Sequence, residues 1–218
     1  MGTNIMIINM IIKRILNKFN LIFSIILLFP RIIKTFFKRT DYKRWKNSNK
    51  FEEWWRSRSE KISQIIPKNS RVIEFGAGCR WLERYLDRSC VYLPSDLIDR
   101  GSGTIICDLN KRPLPDFQYL NVDVAVFSGV IEYINDLPSV IQWLSNFTIS
   151  CAASYECVKS PPHTVSRFVE TFKRRYSGFV NTYNEEELIS LFNKYGFVCL
   201  KKITWDTQKV FLFKHQKK

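Results

Sequence analysis

Histidine is scarce in this chain, with His163 and His215 the only two in 218 residues, and the six cysteines contain no C-x-x-C pair. No metal centre or dithiol redox motif is therefore expected. Cys79, Cys90, Cys107, Cys151, Cys157 and Cys199 read as reduced thiols, several packing in strands as small apolar groups, in a cytosolic compartment. Long apolar runs are lacking too. The longest stretch without charge, Phe19 to Phe29, is interrupted by Asn20 and Ser24 and ended by Pro30, short of the roughly 18–20 residues that a spanning helix needs. There is no small-residue cleavage site of the secretory kind, and position six, Met6, lacks the Ser or Thr that myristoylation wants. Internal repeats and low-complexity tracts are absent.

Acid is nearly missing from one end. Residues 1–50 hold eleven of the 34 Lys and Arg but one of the 20 Asp and Glu, so most of the formal charge of +14 sits there. Residues 51–218 are almost balanced, which argues against a phosphate-tracking nucleic-acid surface on the folded part. Within residues 1–40 a polar stripe (Asn9, Lys13, Asn17, Asn20, Ser24, Arg31, Lys34 or Thr35, Lys38) recurs at helical spacing, and Ile, Leu and Phe fill the rest. An amphipathic arm lying on an anionic membrane surface fits this pattern better than a span. Packing on a partner or on the chain's own domain is the other arrangement open. Thr40 to Lys50 reads as a basic linker, which divides the chain into an arm and linker over 1–50 and a domain over 51–218.

The most informative stretch is Val72-Ile73-Glu74-Phe75-Gly76-Ala77-Gly78, an apolar strand ending in a carboxylate and then a turn with two glycines. Glycine is required where backbone takes positive φ or lies against a ligand. The dinucleotide fingerprint G-x-G-x-x-G wants a third glycine for close helix packing, but that position is Trp81. S-adenosylmethionine (SAM) has no phosphate, so its cradle needs only close backbone approach and an acid for the methionine ammonium group, and Glu74 is such an acid. The second strand, Val91 to Ser95, ends in Asp96, 22 residues after Glu74, which is near the spacing at which nucleoside-binding folds place a carboxylate for vicinal ribose hydroxyls. Asp99 is the rival for that role.

These pieces, with Ile106-Cys107-Asp108-Leu109-Asn110 and Val124-Ala125-Val126-Phe127-Ser128-Gly129-Val130-Ile131-Glu132-Tyr133, resemble the class I SAM-dependent methyltransferases from about Phe51 to Lys214. The resemblance implies an α/β fold: a seven-stranded, mostly parallel Rossmann-like sheet with a C-terminal antiparallel hairpin, here preceded by the N-terminal amphipathic helical arm. It also implies SAM as cofactor, held by Glu74, Gly76, Gly78, Asp96, Asp108, Leu109, Ser128 and Gly129. Asp108 would meet the adenine amino group with Leu109 against the ring, and Ser128 and Gly129 would face the methionine portion. Where many relatives carry histidine, this chain has Tyr133.

The remaining elements follow from pattern. A lead-in helix carries Phe51, Trp54, Trp55, Ile62, Ile65 and Ile66, and a short helix follows the glycine turn to about Asp87. Leu97 to Gly103 has room only for a loop. Strands are expected at Thr104–Cys107, Val122–Phe127 and Phe147–Ala153, with a helix over Leu137–Leu144. Asn184 followed by Glu187 is a capping box, and Phe197–Thr204 with Lys209–Phe213 makes the final hairpin. The segment Ser154 to Tyr183 is longer than a crossover needs and reads as a lid over the acceptor. It contains a helix with Val165, Phe168, Val169 and Phe172 on one side, the trio Lys173-Arg174-Arg175, and His163, a candidate base for a hydroxyl.

The expected activity is methyl transfer from SAM to an oxygen or nitrogen of a small-molecule or lipid-linked acceptor, for example a glycan intermediate. It would take place in the cytoplasm or at the inner face of the membrane. A non-catalytic scaffold anchored to a membrane or partner is the main alternative, and an NAD-dependent oxidoreductase is disfavoured by Trp81.

Overall fold

Valine, isoleucine and phenylalanine runs make the strands of this protein, and a computed structural model describes residues 33, 40–47 and 51–217. The strands are β1 Arg71–Phe75, β2 Val91–Asp96, β3 Ile105–Ile106, β4 Val124–Phe127, β5 Ser150–Tyr155, β6 Phe197–Trp205 and β7 Gln208–His215. They form one sheet in the order β3-β2-β1-β4-β5-β7-β6. β1 to β5 pair in parallel, while β7 lies antiparallel between β5 and β6. This is the expected α/β methyltransferase-type sheet.

Alternation along each strand sends neighbouring side chains to opposite faces, so the sheet separates two cores. On one face Ile73, Phe75, Phe127, Tyr155 and Phe213 pack against helices α3 (Leu137–Phe147) and α5 (Glu185–Lys194). On the other, Val72, Val124, Val126 and Val210 pack against Ile62 of α2 (Arg56–Ser63), with Ile65 and Leu82. β4 and β5 are buried along their whole length, as expected of strands covered on both faces.

Polar residues set the helix ends. Asp136 caps α3 by accepting from the Ser139 amide at 3.2 Å. Asn184 and Glu187 form the expected capping box on α5, with both bonds at 2.7 Å. α4 (Val165–Ser177) is capped by Thr164 and ended by Gly178 at φ +90°.

Three expectations need correction. The helix after the glycine turn is a single 3-10 turn, Leu82–Arg84; Arg80 at φ +53° keeps helical backbone from starting before Trp81. The fifth strand begins at Ser150 rather than Phe147, because α3 runs on to Phe147 and buries it. Residues 40–46, read as linker, contain the helix α1 (Tyr42–Lys46). Its Trp45 ring meets Tyr133 edge-on at 4.8 Å and stacks with Phe51 at 6.4 Å, which holds the segment on the domain. Apart from Ile33 and Thr40, the arm over residues 1–40 lies outside the described residues. Among the described residues no helix is long and apolar enough to cross a membrane.

Candidate functional site

Parallel registry brings the strand ends level. Phe75 is paired with Ser95 on one side and Phe127 on the other, so the turns after β1, β2 and β4 open onto the same edge. The chain order reverses at β1, with β2 to one side and β4 to the other. Open α/β sheets bind ligands at such a point, outside the carboxyl ends of their strands. A cavity of about 330 Å³ lies there.

All eight residues named from the sequence as cofactor-binding line this cavity: Glu74, Gly76, Gly78, Asp96, Asp108, Leu109, Ser128 and Gly129. Two glycines are there for space as much as for conformation. Gly76 sits at φ +70°, and a Cβ would fall 2.6 Å from Val130 Cγ2. Gly129 sits at φ +68°, and a Cβ would fall 2.4 Å from a guanidinium nitrogen of Arg58.

The acids differ in their surroundings. Glu74 is buried and accepts from the Tyr92 hydroxyl at 2.5 Å. Burial pushes its carboxyl up to about 8, the Tyr92 bond and the Arg58 charge pulling the other way. Asp96 Oδ2 accepts from the Gly78 amide at 2.9 Å and faces Arg100 Nε at 3.4 Å. One carboxylate thus ties the β1 turn to the loop after β2. Asp99, the rival, is exposed, accepts from the Gly101 amide at 2.8 Å and is not among the lining residues. Asp108 is met by the N-terminal segment: the Tyr42 hydroxyl donates to Oδ2, and the Thr40 hydroxyl to Oδ1 at 3.4 Å.

Arg58 and Glu132 were not singled out from the sequence as site residues. Arg58, on α2, is buried between the Trp55 and Trp205 rings, 5.6 and 5.4 Å away. It donates to the Ser128 hydroxyl at 3.1 Å and the Ser128 carbonyl at 3.2 Å. Burial holds its pKa below the ordinary arginine value, while Glu132, Tyr133 and Glu74 act in the opposite direction. Glu132 lines the cavity at 1% exposure. Its Oε1 accepts from the Glu156 amide at 3.0 Å, and its Oε2 has no hydrogen-bond partner. Burial raises its pKa. The clue in the sequence was position: Glu132 follows the β4 end by five residues, and Arg58 lies on the aromatic helix leading into the domain.

An aromatic wall closes the other side. Trp45, Phe51, Tyr133 and Phe179 line the cavity, with Phe179 edge-on to Tyr133 at 5.4 Å. The Arg44 guanidinium lies over Trp45 at 4.6 Å and Tyr133 at 5.5 Å. His163 is not brought to this cavity. It is exposed, at φ +60°, in the loop before α4. The basic trio does not act as one patch either. Arg174 is buried, donating to the Glu156 carbonyl at 2.6 Å and the Tyr155 hydroxyl at 3.1 Å.

A family model described as a methyltransferase domain matches residues 47–202. No curated protein sequence matches the chain. Among solved structures, a putative O-methyltransferase from Nostoc punctiforme superposes with a TM-score of 0.64 at 11% identity, over 87% of this chain and 68% of that one. The 1,6-didemethyltoxoflavin-N1-methyltransferase of Burkholderia thailandensis, solved with its acceptor and S-adenosylhomocysteine, gives 0.59 at 13% identity over 86% and 88%. The pyocyanin biosynthetic protein PhzM gives 0.51 at 12% identity over 72% of this chain, which spans only 54% of that protein. At these identities the neighbours establish the fold.

Proposed function

The chain belongs to the SAM-dependent, Rossmann-like methyltransferase family, and we propose that it methylates an oxygen or nitrogen of a small-molecule acceptor. The observation that carries this reading is the cavity at the β1 switch point, where a glycine cradle, a buried carboxyl and a buried guanidinium meet. Those residues fit SAM. Glu74 would hold its ammonium group, and Arg58 would hold its carboxylate. Asp96 would hold its ribose, and Asp108 and Leu109 its adenine. When bound, SAM supplies a methyl group on a positively charged sulfur.

The chain's own contribution is placement and proton handling. Gly76 and Gly129 let Val130 and Arg58 pack directly on backbone beside the cavity. The wall of Trp45, Phe51, Tyr133 and Phe179 suits a flat acceptor, and holding two reactants in line supplies most of the acceleration such a transfer needs. Glu132 Oε2 would take the proton that leaves the acceptor's O–H or N–H; it ionises more readily once positive charge is seated nearby. This role was expected of His163, which lies outside the cavity walls. The toxoflavin enzyme and PhzM are named for small molecules, and a lipid-linked acceptor or a scaffold role has no counterpart in those names.

Parallel calorimetric titrations of the full chain with SAM, S-adenosylhomocysteine and NAD test the proposal. Binding of both adenosyl ligands and not NAD is the expected result. Binding of NAD alone, or of none by folded protein, would overturn it.

A further inference from the structure

Helix α4 is packed inside out. At 100° per residue, Val165, Phe168, Val169, Phe172 and Tyr176 fall within an arc of about 100°, and they are exposed at 81, 65, 46, 38 and 39%. The opposite face is the polar one, and it is turned toward the domain. Arg167 donates to the Ser160 carbonyl at 2.9 Å and pairs with Glu187 at 2.6 Å. Glu170 accepts from the Lys159 and Ser160 amides at 3.0 and 3.1 Å. Arg174 is the helix's buried residue. A surface helix of a globular protein ordinarily shows the reverse arrangement, and a contiguous apolar face of this kind marks an interaction surface.

Charge and chain continuity select what covers it. The exposed basic residue of the helix beside the stripe is Lys173, and the helix's one acid, Glu170, is turned inward. At the helix's C-terminal end, Arg44 donates to the Ser177 carbonyl at 2.8 Å. The chain that leads into α1 is thus joined to an element tied to the end of α4. That chain, residues 1–39, has seven Lys or Arg, no Asp or Glu, and an otherwise largely apolar composition. Laying it on α4, or pairing two copies of α4, would set positive charge against positive charge. A surface of anionic lipid headgroups over an apolar interior complements both elements at once. Ser177 and Phe179, at the end of α4, line the cavity.

We infer that the apolar face of α4 is a docking surface for an anionic lipid membrane, engaged together with residues 1–39 and seating the protein with its cavity mouth beside the bilayer. This is independent of the acceptor's identity.

The test is co-sedimentation of the full chain with vesicles of phosphatidylglycerol and phosphatidylcholine, against phosphatidylcholine alone. The parent is compared with a Phe168→Ser, Phe172→Ser double variant. The expected result is binding to the anionic vesicles that falls by about tenfold or more in the variant, with unfolding temperature, oligomeric state and S-adenosylhomocysteine affinity unchanged. Undiminished binding by the variant would assign the membrane contact to the arm alone, and no binding by the parent would remove the membrane; either overturns the inference. A fall in the variant's unfolding temperature, or a change in oligomeric state, would mean that the chain or a second copy covers α4, and would overturn it equally. The affinity for S-adenosylhomocysteine reports on the catalytic reading separately.

Discussion

Replacing Glu74 by glutamine should change the protein's stability in a strongly pH-dependent way. Burial raises this carboxyl from an ordinary 4.5 to about 8, so between those values the folded state holds a proton that the unfolded state has released. Folding stability then falls as pH rises through that window. Between pH 5 and pH 7.5 the loss from this one group amounts to about 3 kcal/mol. Glutamine does not titrate, and its carbonyl can still accept from the Tyr92 hydroxyl. The variant's stability relative to the parent should therefore rise by about 3 kcal/mol between pH 5 and pH 7.5. Urea unfolding at the two pH values, followed by tryptophan fluorescence, measures it directly. An equal stability difference at both pH values would refute the reasoning, since Glu74 would then be ionised in the folded protein. The same chemistry predicts that SAM binding at pH 7 releases protons, because a cation beside Glu74 drives its ionisation. Calorimetry in buffers of different ionisation enthalpy reads that release, and Glu74→Gln should reduce it.

Gly129→Ala should weaken S-adenosylhomocysteine binding at least tenfold and cost about 1–2 kcal/mol of stability from the left-handed backbone alone, because the new methyl group displaces Arg58. Normal calorimetric affinity in this variant would contradict the close packing seen at Gly129. Asp96→Ala should weaken the same ligand by tenfold or more, since it removes the proposed ribose acceptor and unties Gly78 from Arg100; unchanged affinity would mean that the ribose lies elsewhere. Tyr42→Phe removes the hydroxyl that occupies Asp108, and a hydrogen bond to a charged group is worth about 1.5–3 kcal/mol. If the ligand must displace that bond, affinity should rise roughly tenfold, and a loss of affinity would instead make Tyr42 part of the bound site. With any acceptor that turns over, Glu132→Gln should lower kcat by about 10²- to 10⁴-fold and remove the acid limb of its pH profile, with S-adenosylhomocysteine affinity unchanged.

The cradle was legible because its constraints are local. A strand, a carboxylate and a glycine turn occupy seven consecutive residues, and the level strand ends that gather Asp96, Asp108 and Ser128 follow from parallel pairing. Arg58 and Glu132 were not legible as site residues, because what distinguishes them is burial and, for Glu132, an oxygen left without a partner. Those are properties of packing that no spacing encodes. The segment 40–46 misled for a similar reason: its charges suggest solvent, whereas Tyr42 and Trp45 decide where it goes. In α4 the apolar periodicity was plain in the sequence, but its direction was not. Arg167, Glu170 and Arg174 have hydrogen-bond partners on the domain side, and these fix the rotation of the helix against the usual rule.

The place of β7 has a consequence for synthesis. This strand is made after both of its neighbours, yet it fills the slot between β5 and β6, and its first residue, Gln208, both lines the cavity and accepts from Arg58 at 3.4 Å. A nascent chain emerging from the ribosome can assemble β1 to β5 early, but the outer edge of β5 stays without its neighbour until β7 has been made. Such an edge is prone to pairing with other chains. The binding site is incomplete until then, and a stop codon ahead of Gln208 would leave neither a continuous sheet from β5 to β6 nor a finished pocket.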